Sequence, residues 1–346
     1  MINFKSMNNF KKLNHQDKIF IAGSSGMVGS AIKKVLTKSN YGIKELNGKI
    51  YCPTSKELNL LNFQDVKNWF SKYKPDIVII AAAKVGGIYA NKTKPFDFIL
   101  ENLKIQNNII EVAWQSGVKR LLFLGSSCIY PKFAKQPISE EYLLSGALEK
   151  TNEFYAIAKI AGIKLCESLR KQYNFDAISL MPTNLYGPGD NYHPKNSHVI
   201  PSLIRRFYEA KYKDLKEVNC WGSGDALREF LYVDDLAEAC LFTLENWDPS
   251  NAYAPKTKDG DTLDILNVGS EEEISIKDLA MKISKVIGFK GNILWDTDKP
   301  NGTPRKKLDT QRINNLGWSP KINLDIGLRK TLIDFEKSFI NKNLRE

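Results

Sequence analysis

Three things are scarce in this 346-residue sequence, and each scarcity narrows what the chain does. The first is the long apolar run: none approaches the roughly 18 residues that a helix needs to span a bilayer, so no membrane role is expected. The second is cysteine. Five are present, Cys52, Cys128, Cys166, Cys220 and Cys240, odd in number, widely spaced and without a CxxC pair. That pattern argues against a disulfide framework and against a zinc or other metal site, and fits a reducing cytoplasm. The third is histidine, limited to His15, His193 and His198. Imidazole chemistry must draw on that short list. Met1–Gln16 is polar and basic, lacks the apolar segment of a secretory signal, and is expected to be a loose arm over residues 1–16.

What is present reads as an ordinary globular chain, 42% hydrophobic and 11% aromatic, able to bury a sizeable core. Its length suits two lobes, or one large α/β domain with a cap. The net charge is +11, from 50 Lys+Arg against 39 Asp+Glu. Most of that excess is scattered lysine, with small clusters at Lys11-Lys12, Arg205-Arg206 and Arg305-Lys306-Lys307. No nucleic-acid-binding motif or basic stripe accompanies it, so no nucleic-acid partner is expected. The two later clusters are candidate contacts for a small anionic substrate.

Short apolar runs alternate with amphipathic stretches along the first half. Ile19–Ala22, Ile50–Cys52, Ile77–Ala82, Leu121–Leu124 and Ile178–Met181 read as strands. Met27–Lys38, Asp65–Lys72, Asn102–Ser116 and Glu153–Gln172 read as helices. Near-continuous apolar strands separated by helices predict an α/β fold with a doubly wound parallel Rossmann sheet. After about Asn184 the pattern is broken by Pro188, Gly189, Pro194 and Pro201, and a smaller α+β substrate-binding lobe is expected. The boundaries read as 17–186 plus about 229–248 for the dinucleotide lobe, and 187–228 with 249–346 for the second. Ser250–Leu263 reads as an exposed loop or insertion, and Asp235 as the cap of a helix beginning at Leu236.

Gly23-Ser24-Ser25-Gly26-Met27-Val28-Gly29 lies between the first strand and the first helix. Such a turn brings backbone N–H groups to a pyrophosphate at the positive end of a helix. The spacing is GxxGxxG rather than GxGxxG, so its position between strand and helix carries the reading. No carboxylate follows the second strand, where Lys49–Lys56 reads Lys-Ile-Tyr-Cys-Pro-Thr-Ser-Lys. An acid there would grip a ribose 2′-OH, whereas basic or hydroxyl residues accommodate a 2′-phosphate. Ser25, Ser55 and Lys56 are therefore candidates and NADP(H) is favoured, although Lys56-Glu57 also reads as a solvated helix start.

Tyr155 and Lys159 stand four residues apart, on one helix face. A nearby cation is expected to lower the phenol pKa from about 10, giving a proton donor and acceptor for a carbonyl/alcohol pair. Ser126 follows the fourth strand at the carboxyl edge of the sheet, where its hydroxyl can share an oxyanion with the tyrosine.

The glycine turn, Ser126, Tyr155 and Lys159 together resemble the extended short-chain dehydrogenase/reductase family, whose members act largely on nucleotide sugars. Longer strings sharpen the likeness: Ala81–Gly87, Leu124–Pro131, Met181–Pro188, Asn196–Pro201 and Gly302–Lys306. They resemble the branch that epimerises a 4-keto GDP-hexose at C3 and C5 and then reduces C4. The resemblance spans about Lys18 to Phe339. It implies that Cys128 and His198 are the epimerisation pair, with unperturbed pKa values of about 8.5 and 6.5; which is acid and which is base stays open. It implies that Ala82, Lys159, Pro182, Asn184, Leu185 and His198 line the cofactor. It likewise implies that Arg206, Trp221, Arg228 and Lys306 hold a GDP-sugar, and that two copies pair through the helices 102–116 and 153–172. Three departures stand out: the longer arm, Ser25 where some relatives carry Arg, and the 250–263 segment. A synthase of a related GDP-deoxysugar, and a non-catalytic dinucleotide sensor on the same fold, remain alternatives.

Overall fold

A run such as Ile77-Val78-Ile79-Ile80 carries apolar side chains on both faces of its pleat and is stable only when both faces are covered. The computed structural model, which describes residues 12–299 and 302–346, provides that cover. The first part of the chain runs β1 (Lys18–Ala22), α1 (Met27–Lys38), β2 (Lys49–Tyr51), α2 (Phe63–Tyr73), β3 (Ile77–Ile80), α3 (Ile88–Thr93), α4 (Pro95–Gln115), β4 (Arg120–Leu124), α5 (Glu153–Tyr173) and β5 (Ala177–Pro182). Next come β6 (Asn184–Tyr186), α6 (Val199–Tyr212), β7 (Glu217–Trp221), β8 (Leu227–Tyr232), α7 (Val233–Asn246) and β9 (Ile265–Val268). The chain closes with β10 (Glu273–Ser275), α8 (Ile276–Ile287), β11 (Asn292–Asp296), β12 (Arg305–Lys306), α9 (Gln311–Leu316) and α10 (Leu324–Ile340).

Six strands form an all-parallel sheet in the order β2-β1-β3-β4-β5-β9, with β3, β4 and β5 fully buried. The chain order reverses between β1 and β3, and ligands of open α/β sheets bind in the crevice beyond the carboxyl ends of strands at such a point. A second lobe is built on β8, flanked by β10, β12 and β6, with a separate β7–β11 pair. Its core gathers Tyr186, Tyr192, Phe207 and Phe335 with apolar residues of α6, α8 and α10. Each fully buried ring of this kind contributes about 1.5–3 kcal/mol of transfer free energy. Among the described residues, no helix is long and apolar enough to cross a membrane.

The doubly wound sheet and smaller lobe match the expected fold class, with four local differences. Residues 1–11 lie outside the described residues, but 12–16 are not a loose arm. Leu13 is fully buried, Lys12 pairs with Asp176 and Asp248, and His15 stacks on Tyr41. An apolar residue and two carboxylates in reach outweigh the polar look of the segment. The lobe boundaries also differ: strand β9 lies in the range expected for the second lobe yet forms the edge of the large sheet beside β5, while β6 and most of β8, in the range expected for the dinucleotide lobe, belong to the second sheet. Helix α7 starts at Val233 rather than Leu236, and Asp235 accepts the backbone N–H of Ile322 at 2.9 Å rather than capping the helix. In 250–263, Tyr253 is exposed while Leu263 is buried under the sheet edge.

Candidate active site

The glycine turn is held by contacts that only glycine permits. Gly23 has φ +80°, and a Cβ on it would come within 2.7 Å of the Ala82 backbone. A Cβ on Gly29 would meet the Gly23 carbonyl at 2.2 Å. The Gly26 N–H donates to Gly23 O at 3.0 Å, so the turn folds on itself and delivers α1 at Met27. Helix α1 begins with no side-chain cap and no carboxylate in its first turn. Among the described residues no side chain caps its first N–H groups, an arrangement suited to a diphosphate. Gly23 thus meets Ala82 at the sheet's switch point, and Ser24, Ser25, Gly26, Met27, Val28 and Gly29 follow it into the turn and the start of α1.

Past β2, Lys56 and Ser55 are exposed, and the neighbouring carboxylate is already engaged: Glu57 accepts from the Thr54 N–H at 2.8 Å and its hydroxyl at 2.9 Å. A cation that sequence reading missed is also here. Burial pushes the Cys52 thiol up, opposed by a hydrogen bond with Ser24 and by the charge of Lys33. Lys33 on α1 therefore sits at the end of β2, visible only once the two elements are packed.

Ser126 leaves β4 in extended conformation and caps a short 3-10 turn, Ser127–Ile129, its Oγ accepting the Cys128 N–H at 3.2 Å. Tyr130 anchors the end of that turn by donating its hydroxyl to Asn267 Oδ1 at 2.6 Å. Cys128 Sγ then accepts from Lys306 Nζ and from Asn152 Nδ2, each at 3.2 Å. Burial alone would raise the thiol. The Lys306 charge, hydrogen bonds from Ser126 and Lys306, and the charge of Arg228 outweigh it and hold Cys128 below its usual value. Lys306 and Arg228 are register partners on β12 and β8, which brings two cations to one sulfur. Asn152 also escaped the sequence reading. It occupies the N-cap position of α5 without making a capping bond, and its amide turns to the sulfur instead.

On α5, Lys159 is buried and donates to Leu124 O at 2.8 Å, with its Nζ 4.7 Å from the Phe123 ring centroid and 6.0 Å from that of Tyr155. Burial lowers its pKa to about 7. The expected drop in the Tyr155 pKa is not found. Burial and the neighbouring Cys128 charge raise it, and the hydrogen bond with Ser126 only partly offsets them. The reason is local: Lys159 directs its proton to a main-chain carbonyl, and burial disfavours the phenolate and the ammonium alike. Tyr155 is thereby kept as a protonated phenol.

His198 occupies the N-cap position of α6. The segment before it is tied to the 86–87 turn, since Gly87 N–H donates to Asn196 O at 2.8 Å and a Cβ on Gly87 would clash with Ser197 O at 2.6 Å. His198 is exposed on the surface of the chain; local desolvation and the Lys306 cation lower its pKa. One cation therefore acts on both Cys128 and His198. Pro182 ends β5 in a buried position; Asn184 and Leu185 follow on β6, where the Asn184 amide donates to Glu229 O at 2.8 Å. Arg206 and Trp221 form their own pair, the guanidinium 5.3 Å from the ring and Nη1 on Asn219 O at 3.1 Å, while Trp221 stays 48% exposed.

The model of the NAD dependent epimerase/dehydratase family matches residues 19–255, from β1 into the segment after α7. This chain belongs to the NAD dependent epimerase/dehydratase family. Within such comparisons it is 51% identical over 325 residues to GDP-L-fucose synthase 1 of Arabidopsis thaliana, covering 94% of this chain and 95% of that one. It is 51% identical over 316 residues to the GDP-L-fucose synthase of Escherichia coli (strain K12), covering 91% and 95%. Among solved structures, a GDP-L-fucose synthetase of Naegleria fowleri bound to NADP aligns with TM-score 0.81 at 27% identity, over 96% of this chain and 97% of that one.

For this epimerase/dehydratase-family chain, the sulfur's environment gives a direct prediction. Lys306→Met removes a cation bonded to the sulfur and should raise the Cys128 pKa, slowing iodoacetamide labelling of Cys128 about tenfold near neutral pH. Peptide mass spectrometry separates Cys128 from the half-buried Cys52. An unchanged labelling rate would show that Lys306 does not set the thiolate.

Proposed function

We propose that the chain converts GDP-4-keto-6-deoxy-D-mannose to GDP-L-fucose, inverting C3 and C5 and then reducing C4 with NADPH. The observation that carries this reading is Cys128, a thiol with its pKa lowered, held by Lys306 and Asn152 two residues from the Ser126 that bonds Tyr155. A carbon base and a hydroxyl proton donor thus share one cleft. Relatives named for the same conversion, and an NADP-bound neighbour, support it.

The C4 ketone makes the protons on C3 and C5 acidic, because the electron pair left behind delocalises onto the C4 oxygen as an enolate. Cys128 as thiolate, its charge favoured by Lys306 and Arg228, removes such a proton and becomes the neutral thiol. His198, as the imidazolium, is assigned the proton delivered to the opposite face; because its pKa is lowered, that donor form is a minority near neutral pH. In this assignment Cys128 is the base and His198 the acid. When bound, NADPH supplies a hydride to C4. Tyr155, kept protonated by burial, gives its proton to the C4 oxygen, while Ser126 hydrogen-bonds that oxygen; Lys159, one helical turn away on the Leu124 carbonyl, supplies positive charge only while it is protonated, with a pKa of about 7. Arg206 and Arg228 offer guanidinium forks to the diphosphate, and Trp221 offers an open ring face to guanine or sugar. The missing carboxylate after β2, with Lys33 and Lys56 nearby, supports NADP(H) over NAD(H).

The same reading places the protein in the cytoplasm, where five free thiols persist, and as a homodimer. Helices α4 and α5 pack side by side, and the outer face of α5 exposes Phe154 at 43% and Ile157 at 39%.

The test is to incubate purified protein with GDP-4-keto-6-deoxymannose and NADPH and resolve the product. GDP-L-fucose with one NADPH consumed per sugar is expected. Turnover only of another 4-keto GDP-deoxysugar would overturn the substrate, and NADPH binding without turnover would leave a dinucleotide sensor.

A further inference from the structure

Leu344–Glu346 run back from α10 across the second lobe toward the glycine turn of the first. Leu344 packs on the second-lobe core, Tyr192 N–H donates to Arg345 O at 2.8 Å, and Glu346 pairs with Arg205. The loop they fasten, after β6, is itself held by the Gly189 N–H donating to Asp334 at 2.9 Å, and a Cβ on Gly189 would lie 3.9 Å from Met27 Cα. The Arg345 side chain crosses the remaining gap. Its Nη1 donates to Gly189 O at 2.9 Å, while Nη2 and Nη1 lie 3.7 and 3.9 Å from where a Cβ on Gly26 would stand.

Gly26 is the second glycine of the triplet, the position whose missing side chain lets a pyrophosphate approach the backbone. The turn has no cation of its own, since Ser24, Ser25, Met27 and Val28 are neutral. Asp190, on the same loop, is buried, and burial pushes its pKa up to about 7 in spite of the Arg345 charge. It is therefore only a partial counter-ion, and the guanidinium keeps charge and N–H donors to offer.

We propose that Arg345 is a cofactor-binding residue: its guanidinium, brought from the second lobe by Leu344–Glu346, pairs with the diphosphate of the dinucleotide at the Gly26 turn. This rests on the reading of that turn as a dinucleotide site. A charge-assisted contact to a phosphate oxygen supplements the uncharged helix-end N–H groups. It also makes cofactor affinity depend on a segment far from the Rossmann strands in sequence.

The test is NADPH binding to the full chain, followed by nicotinamide fluorescence, for the wild type, Arg345→Ala and Arg345→Gln. Gln keeps part of the stem and an N–H donor but removes the charge, and its melting temperature separates loss of charge from loosening of the loop. Both variants are expected to bind about tenfold more weakly, with less dependence on salt and, for Gln, an unchanged melting temperature. The factor should be the same for NADH, which shares the diphosphate. Wild-type affinity in Arg345→Gln would overturn the proposal, and a loss confined to NADPH would move Arg345 to the 2′-phosphate and overturn it as stated. Absence of NADPH binding by the wild type would instead overturn the dinucleotide reading, and the proposal with it.

Discussion

Tyr155→Phe is expected to lower the rate of C4 reduction by about 10²–10⁴-fold, the usual contribution of a positioned proton donor, while leaving solvent exchange at C3 and C5 in place. The separation follows from geometry. Phenylalanine removes one hydroxyl from a site where burial holds that hydroxyl protonated, so the variant loses the proton that must reach the C4 oxygen as the hydride arrives. Cys128 keeps its own donors, Lys306 and Asn152. The thiolate also loses no stabilisation, because the phenol is not among the groups that lower its pKa. NADPH oxidation measures the first activity, and mass spectrometry of the keto-sugar in D2O the second. Equal loss of both would show that Tyr155 takes part in epimerisation, and undiminished reduction would remove it from the chemistry.

Cys128→Ser should give the complementary result: exchange at C3 and C5 lost by about 10²-fold or more, with NADPH binding unchanged. Serine preserves shape and leaves Lys306 and Asn152 in place, but its hydroxyl ionises far above the range in which a thiol does, so no base forms near neutral pH. The same reasoning fixes a pH dependence. Since the Cys128 pKa is lowered, wild-type exchange should rise with pH through a midpoint below the roughly 8.5 of an ordinary thiol. At lower pH the thiolate is protonated and exchange falls. In Lys306→Met the midpoint should move upward. If Cys128→Ser kept its exchange rate, the base would have to be another group.

Much of this site was legible in the chain because its signals are local. Gly23, Gly26 and Gly29 sit between a β-rich run and a helix, and Tyr155 and Lys159 share a helix face, so spacing alone placed them. The pairing that lowers the Cys128 pKa was not legible in the same way. Lys306 is 178 residues from Cys128, and only the β12–β8 register brings it to the sulfur beside Arg228. Asn152 was hidden for a different reason, since an asparagine before a helix reads as a cap and here makes no capping bond. Spacing does not give the direction of the Tyr155 shift, because proximity of Lys159 says nothing about burial, or about the Leu124 carbonyl that accepts the lysine's hydrogen bond. Strand β9 lies in the range read as the second lobe but returns to the large sheet after the 250–263 segment. Its short apolar run, Ile265–Val268, carries no mark of the sheet it joins.

The most direct measurement is one reaction in D2O: protein, GDP-4-keto-6-deoxymannose and unlabelled NADPH, with the product sugar resolved by NMR. The prediction is GDP-L-fucose carrying deuterium at both C3 and C5, from the Cys128 and His198 exchange, and protium at C4 from the cofactor. Protium retained at C3 or C5, deuterium at C4, or a product that keeps the D-manno configuration would contradict an epimerisation at Cys128 followed by a reduction completed by Tyr155.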